Sequence, residues 1–136
     1  MELDEIKIAN EVVVRFRTEG ELLIRNLKMY IAREFPHDLP QTSENPFSFL
    51  VHYHGLPLIF RIEIIIAKKR VTGRIKATKW DIVERTEKDI LEYEFDGYNN
   101  ITNGSRKLNR DSFCPSFIQD MFTLLFESGE VRLRPG

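Results

Sequence analysis

The sequence predicts an α+β fold: an antiparallel β-meander of four or more strands, with an N-terminal and a C-terminal helix packed on one face. Three observations support this prediction. Apolar residues alternate with polar ones in successive segments, the connections between those segments are short, and helical apolar spacing occurs on either side of them. A chain of 136 residues fits one core, so we expect a single α+β domain over residues 1–136.

The clearest strand pattern runs over residues 58–66, where β-branched and aromatic residues share one parity. Arg61 and Glu63 take the other parity, which is typical of a strand with one buried face. Ile59 and Ile65 add apolar character to the second face, so we expect a central strand. Both helices are expected on its first face. That face consists of Leu58, Phe60, Ile62, Ile64 and Ile66.

Three further segments repeat the alternation, namely residues 47–53, 71–80 and 90–96. Gly55-Leu56-Pro57 and Ala67-Lys68-Lys69-Arg70 are the predicted turns on either side of the central strand. Residues 81–89 are highly charged and fit either an extended strand end or a loop. Because the connections are short, successive strands should be antiparallel neighbours.

The first 35 residues allow two interpretations. Apolar residues recur at helical spacing, but the three valines at 12–14 are weak helix formers and begin a strand-like alternation. Thr18 and Glu21 match a capping box, with Thr18 as the N-cap. We therefore favour a strand or irregular lead-in over residues 6–17, followed by a helix from about Glu19 to Phe35.

The last 40 residues are predicted to contain a loop, a helix and a tail. Residues 97–110 form the longest polar stretch. Asp111 or Ser112 is the expected N-cap of the second helix, and Gly129 is the expected residue just beyond its end. The tail at 131–136 could add an edge strand.

Composition excludes several classes of protein. The formal net charge is −1, and no apolar run approaches the roughly 20 residues that a membrane-spanning helix needs. The acidic N-terminus lacks the basic and apolar regions of a signal peptide. Cys114 is the single cysteine, so a disulfide framework is excluded. We expect a soluble cytoplasmic protein with no membrane association and no cofactor.

A basic hairpin over residues 61–80 suggests a nucleic-acid surface. Residues 61–79 carry 7 Lys+Arg against 1 Asp+Glu, whereas residues 80–100 carry 2 against 7. Cations beside an exposed aromatic ring are what single-strand binding surfaces use. The candidate binding residues are Arg61, Arg74, Lys76 and Trp80.

A second interpretation of the same residues is structural. In a meander, Arg74 and Lys76 would lie across from Glu92 and Glu94 on the next strand. Opposite charges facing each other across a ladder stabilise it by about 0.2–1 kcal/mol per pair. We favour this interpretation because the total charge is close to zero.

His52 and His54 are candidate metal ligands, because a strand places alternate residues on one face about 7 Å apart. A site would need a third ligand from elsewhere, and two half-exposed histidines beside a turn are the simpler interpretation.

Cys114, near the start of the second helix, is a candidate nucleophile. Its apolar neighbours favour a buried structural cysteine instead. These residues define a small metal-dependent or cysteine enzyme as the third functional hypothesis.

The leading hypothesis is a non-catalytic protein-binding module that oligomerises, with another protein or a second copy (a homodimer) as its partner. The second helix has more apolar residues than one stripe needs, so it is either buried on two sides or presents an apolar face to a partner. These residues are Phe113, Phe117, Ile118, Met121, Phe122, Leu124, Leu125 and Phe126.

Overall fold

A computed structural model describes residues 1–41, 45–127, 129 and 131–133 of the chain. One helix precedes a sheet of six strands and a second helix follows it. The strands pair antiparallel with their sequence neighbours, in the order β1-β2-β3-β4-β5-β6. The predicted α+β meander with a helix at each end is confirmed. The elements are α1 (Leu3–Glu34), β1 (Ser48–Tyr53), β2 (Leu56–Ala67), β3 (Arg70–Asp81), β4 (Thr86–Phe95), β5 (Ile101–Asn103), β6 (Arg106–Leu108) and α2 (Arg110–Glu127).

The predicted lead-in over residues 6–17 is wrong, because α1 is continuous from Leu3. Thr18 is not an N-cap, since its hydroxyl donates to the Val14 carbonyl oxygen at 2.9 Å within the helix. The β-propensity of the valines contributes less free energy than burial of the helical apolar stripe. That stripe continues through Val12 and Phe16 into the core. Tertiary packing of that stripe decides the structure. None of the described helices is long and apolar enough to cross a membrane.

The strand predicted at residues 58–66 lies within β2, which has a neighbour on each side over part of its length. Leu58 and Phe60 are fully buried beneath the helices. The preceding turn is at His54 and Gly55, both with positive φ, rather than at Gly55-Leu56-Pro57. Among residues 81–89, a turn over 82–85 leads into β4.

The polar stretch at 97–110 contains a short hairpin, β5–β6, that the sequence analysis did not predict. Gly104 supplies the positive φ of its turn, at 62°. Asn109 caps α2, rather than Asp111 or Ser112. Its side-chain oxygen accepts the backbone N–H groups of Asp111 at 3.0 Å and Ser112 at 3.1 Å, which satisfies two unpaired donors of the first turn.

The end of the chain differs from the tail prediction. Gly129 has a φ of 97°, as expected just beyond a helix end. No strand forms over residues 131–133, and residues 134–136 lie outside the described part of the chain. Most apolar residues of α2 are buried against the sheet and α1, whereas Leu124 is 40% exposed and Phe126 is 66% exposed.

Two glycines allow close packing, one between α1 and the sheet and one within the sheet. A Cβ at Gly20 would lie 2.8 Å from Cγ2 of Ile62, so the missing side chain lets α1 sit directly on β2. The Phe95 ring fills the space above Gly73 of β3. Phe117 of α2 is fully buried on the same face of the sheet.

Candidate functional site

Strands β2 and β3 extend beyond their neighbours. The β1 ladder ends where Ser48 pairs with Arg61, and Phe47 then accepts one more hydrogen bond from the Ile62 N–H at 2.8 Å. On the other side, the β4 ladder ends where Phe95 pairs with Gly73. We call residues 63–72 the β2–β3 arm. Its β2 half, residues 63–67, is about 16 Å long at the usual strand rise, and its β3 half, residues 70–72, is about 10 Å long.

One edge of the β2–β3 arm has no strand beside it among the described residues. Residues of an antiparallel strand direct their N–H and C=O groups alternately to one neighbour and to the other. The Ile62 N–H bonds toward β1. The N–H and C=O groups of Ile64 and Ile66 therefore point to the same side, where they lie beyond the end of β1. These backbone groups form an open edge, and such an edge is a template for another strand.

An apolar side of α1 lies on the same side of the molecule as this open edge. The Arg17 guanidinium lies over the Phe47 ring, 5.6 Å from its centroid, so this side of the helix faces the β1 end of the sheet. Leu3, Ile6 and Val14 precede Arg17 by 14, 11 and 3 residues, which places them on the same side. We call these three residues the α1 flank. Their side chains are 65%, 40% and 57% exposed, respectively.

The tip of the β2–β3 arm is strongly basic. Lys68, Lys69 and Arg70 are all exposed, and none of them has an ion-pair partner among the described residues. The two lysines have φ values of 51° and 61°. A two-residue turn with both φ values positive favours Asn and Gly, so two lysines there are held at a conformational cost.

The predicted cationic residues of the sheet's outer face are engaged by carboxylates. Arg61 makes a forked contact with Glu87. Arg74 Nε lies 2.8 Å from Glu92, and Lys76 Nζ lies 3.6 Å from Glu63. The register also sets Arg74 across from Glu94 and Lys76 across from Glu92, as in the structural interpretation of the sequence.

Trp80, the fourth candidate binding residue, is 37% exposed and lies at the end of β3 opposite the arm. It borders an open cavity of about 430 Å³ beside Leu56. The charged groups there pair with one another, since Lys88 Nζ lies 3.2 Å from Asp81 and 2.9 Å from Glu84. A backbone hydrogen bond from Glu84 and the Lys88 ammonium lower the pKa of the Asp81 carboxyl. This cavity therefore offers few unengaged polar groups.

The two candidate metal ligands do not share a strand face. His52 is exposed on β1, whereas His54 lies in the turn with a φ of 47° and its ring against Tyr53, 4.7 Å between centroids. No group of three His, Cys, Asp or Glu side chains that could hold a metal ion occurs within the described ranges. Neither histidine therefore has a set of metal ligands around it in the part of the chain that the structure describes.

Cys114 is buried in the first turns of α2. Burial raises the pKa of its thiol to about 11, and the positive charge of Arg33 offsets only part of this effect. The attacking form of a cysteine is the thiolate, which is a minor species near neutral pH at this pKa. The environment is that of a structural cysteine.

Two polar clusters were missed by the sequence analysis. Glu19 of α1 is 4% exposed and accepts hydrogen bonds from Arg110 of α2, from Nε at 2.9 Å and from a terminal nitrogen at 2.6 Å. Asp120 of α2 accepts from Arg106 and Tyr93, and burial together with the Asp120 hydrogen bond raises the pKa of the Tyr93 hydroxyl. Both clusters tie helices to neighbouring elements. The only signal in the sequence was that Glu19 falls within a buried helical stripe.

Neither the family models nor the curated proteins nor the solved structures contain a match to this chain. Its own geometry therefore has to define the class of site. Within the described residues, the feature that combines unpaired backbone groups, exposed apolar side chains and unpaired charges is the β2–β3 arm with the α1 flank.

Proposed function

We propose that the chain is a non-catalytic protein-interaction module, which binds its partner through the β2–β3 arm and the α1 flank. The observation that supports it is the open edge at Ile64 and Ile66, with exposed apolar side chains of α1 on the same side of the molecule. Backbone hydrogen bonds to an added strand supply affinity, and burial of the adjoining apolar side chains supplies more.

The chemistry of the other candidate residues favours this proposal over catalysis. Cys114 is buried with a raised thiol pKa, and His52 and His54 point to different surroundings. The Glu19–Arg110 and Asp120–Arg106 pairs have their charges matched within the fold. A protein-binding surface needs none of these groups to react.

A nucleic-acid partner is the alternative that the basic hairpin suggests. Arg61, Arg74 and Lys76 each have a carboxylate neighbour, so phosphate binding there would have to break ion pairs. Within the described chain, the unpaired cations at the tip of the arm are only Lys68, Lys69 and Arg70, which is few for a surface whose affinity comes from phosphate contacts. The protein partner is therefore the better supported proposal.

Site-specific photo-crosslinking tests the proposed function. A photo-reactive amino acid replaces Ile66 on the open edge in one variant and Met29 on α1 in a control; both side chains are 64% exposed. After irradiation of the source cells, we expect discrete protein adducts from position 66, identified by mass spectrometry, and none of the same adducts from position 29. Adducts of nucleic acid alone at position 66, or identical protein adducts at both positions, would refute the proposal.

A further inference from the structure

We infer that the segment that pairs with the open edge is an acidic extended peptide of another protein, with carboxylates on both sides of a short apolar stretch. This inference rests on the proposed function and specifies the chemistry of the partner. Three observations support it: the short length of the open edge, the parity of its side chains, and unpaired cations at both of its ends.

The open edge has room for a strand of about five residues. At one end Phe47 occupies the place beside Ile62 and accepts its N–H, so an added strand has to stop short of it. At the other end β2 turns at the tip of the arm. Residues 63–67 remain, and among them Ile64 and Ile66 each present an N–H and a C=O to the partner backbone. Because the pairing is short, side chains that flank it have to contribute to affinity.

The inner side of the added strand is expected to be apolar. Ile64 and Ile66 have the same parity as Ile62, which lies against Gly20 of α1, so their side chains are on the α1 face of the sheet. Residues directly opposite each other on neighbouring strands share a face. The Ile66 side chain is 64% exposed, so an apolar residue opposite it buries apolar surface on both strands.

The tip end of the open edge carries cations without ion-pair partners within the described ranges. The β2–β3 arm contains three basic residues against one acidic residue, Glu63. The Glu63 carboxylate lies 3.6 Å from Nζ of Lys76, so it already has a cation beside it. The three basic residues are Lys68, Lys69 and Arg70.

The opposite end of the open edge also carries an unpaired cation. The Arg17 guanidinium lies over the ring of Phe47, the residue that ends the edge. Arg17 is exposed and has no carboxylate partner in the part of the chain that the structure describes. Ile62, beside Phe47, and Lys68 are about 20 Å apart at the usual strand rise. An extended peptide of about seven residues therefore reaches both cationic ends.

The charges nearby do not cancel these cations. Glu21, on the same side of α1, lies 3.7 Å from Arg25. Arg61 on the outer face makes its forked contact with Glu87. The start of α1 is acidic, which stabilises the positive end of the helix, and within the described chain none of its carboxylates forms an ion pair with the tip. These residues are Glu2, Asp4 and Glu5.

An acidic peptide matches the backbone and the charges of the open edge together. A nucleic acid or an anionic lipid surface supplies negative charge but cannot extend the strand ladder at Ile64 and Ile66. A neutral or basic strand extends the ladder but leaves the cations at both ends unmatched. Carboxylates at each end of a short strand satisfy both requirements.

Selection from randomised peptides displayed on phage, with the full chain immobilised, tests this chemistry. We expect the selected peptides to carry Asp or Glu on both sides of an alternating apolar stretch. Lys69→Glu should weaken binding of a selected peptide by about 5-fold, because it turns an attraction at the tip into a repulsion. Lys107→Glu makes the same charge change at an exposed residue of β6, at the far edge of the sheet, and should leave the affinity unchanged. Selected peptides without an excess of acidic residues, no selected peptide at all, or equal losses in the two variants would overturn the inference.

N-methylation of single backbone amides in a selected peptide tests the strand pairing. Alternate residues of an added strand direct their N–H groups to the open edge, and the residues between them direct theirs to solvent. We expect a methyl group at one parity of the central residues to weaken binding by about 10-fold or more, and at the other parity to change it little. Equal effects at both parities would overturn the pairing with the edge.

The two proposals fail in different ways. Peptides that bind through the arm without an acidic preference, together with protein adducts from position 66, overturn the acidic partner and leave the proposed function standing. Binding to phosphatidylserine vesicles, with no selected peptide and no protein adduct from position 66, overturns both.

Discussion

Replacing Phe117 with alanine is expected to lower the free energy of unfolding by about 3–5 kcal/mol, the usual cost of truncating a fully buried phenylalanine. Phe117 is 0% exposed, and its ring lies 5.0 Å from that of Tyr93 and 5.3 Å from that of Phe113, measured between centroids. It joins α2 to the inner face of the sheet, so the loss combines lost apolar burial with a cavity.

Urea denaturation of the variant measures this loss, and Phe126→Ala is the matched control. Phe126 lies on the same helix but is 66% exposed, so its truncation should cost well under 1 kcal/mol. Equal losses at the two positions would contradict the packing of α2 described above.

Gly73→Ala is expected to cost about 1–3 kcal/mol through overpacking. A Cβ at residue 73 would lie 2.5, 2.6 and 2.8 Å from three atoms of the Phe95 ring, closer than carbon atoms approach in folded proteins. The ring is held in place by Phe16, whose centroid is 6.0 Å away, so it cannot move aside without disturbing the contact between α1 and β4.

A double-mutant cycle with Phe95→Leu isolates this clash. Leucine leaves room above residue 73, so Gly73→Ala should cost less in the Phe95→Leu background than in the original protein. The free energies of unfolding of the four proteins give the coupling directly. Strictly additive losses would show that the Phe95 ring does not limit the side chain at residue 73.

The sheet could be predicted from the sequence because each of its four long strands has a local signal. The alternation of apolar and polar residues located the strands, and the short connections between them predicted that sequence neighbours pair antiparallel. Arg74 and Lys76 were expected across from Glu92 and Glu94, and the register sets them there. By contrast, β5 and β6 have three residues each, too few for an alternation to be recognised.

The other differences arose where distant contacts outweigh local preference. The valines at 12–14 are weak helix formers, yet α1 continues through them because its apolar stripe packs on the sheet. The Glu19–Arg110 pair joins residues 91 positions apart, so no local pattern could reveal it. Asn109 rather than Asp111 caps α2, an error of two residues that is common at helix ends.

The candidate site was the least predictable part. The alternation at residues 58–66 identified β2, but an open edge depends on where the neighbouring strands end. β2 has 12 residues and β1 has 6, so the second half of β2 extends past its neighbour. The candidate binding residues predicted from the sequence lie on the outer face. Among the described residues, the unpaired groups are instead the backbone of Ile64 and Ile66 and the tip of the arm.

Amide hydrogen exchange at Ile64 and Ile66, followed residue by residue with and without the partner that photo-crosslinking identifies, tests the central claim most directly. The amides of Glu63 and Ile65 bond toward β3 and serve as internal controls, protected in both samples. We expect the Ile64 and Ile66 amides to exchange fast in the chain alone and slowly once the partner is bound, because its backbone then pairs with the open edge. Exchange at these two amides that the bound partner leaves unchanged would contradict the open edge as the binding site.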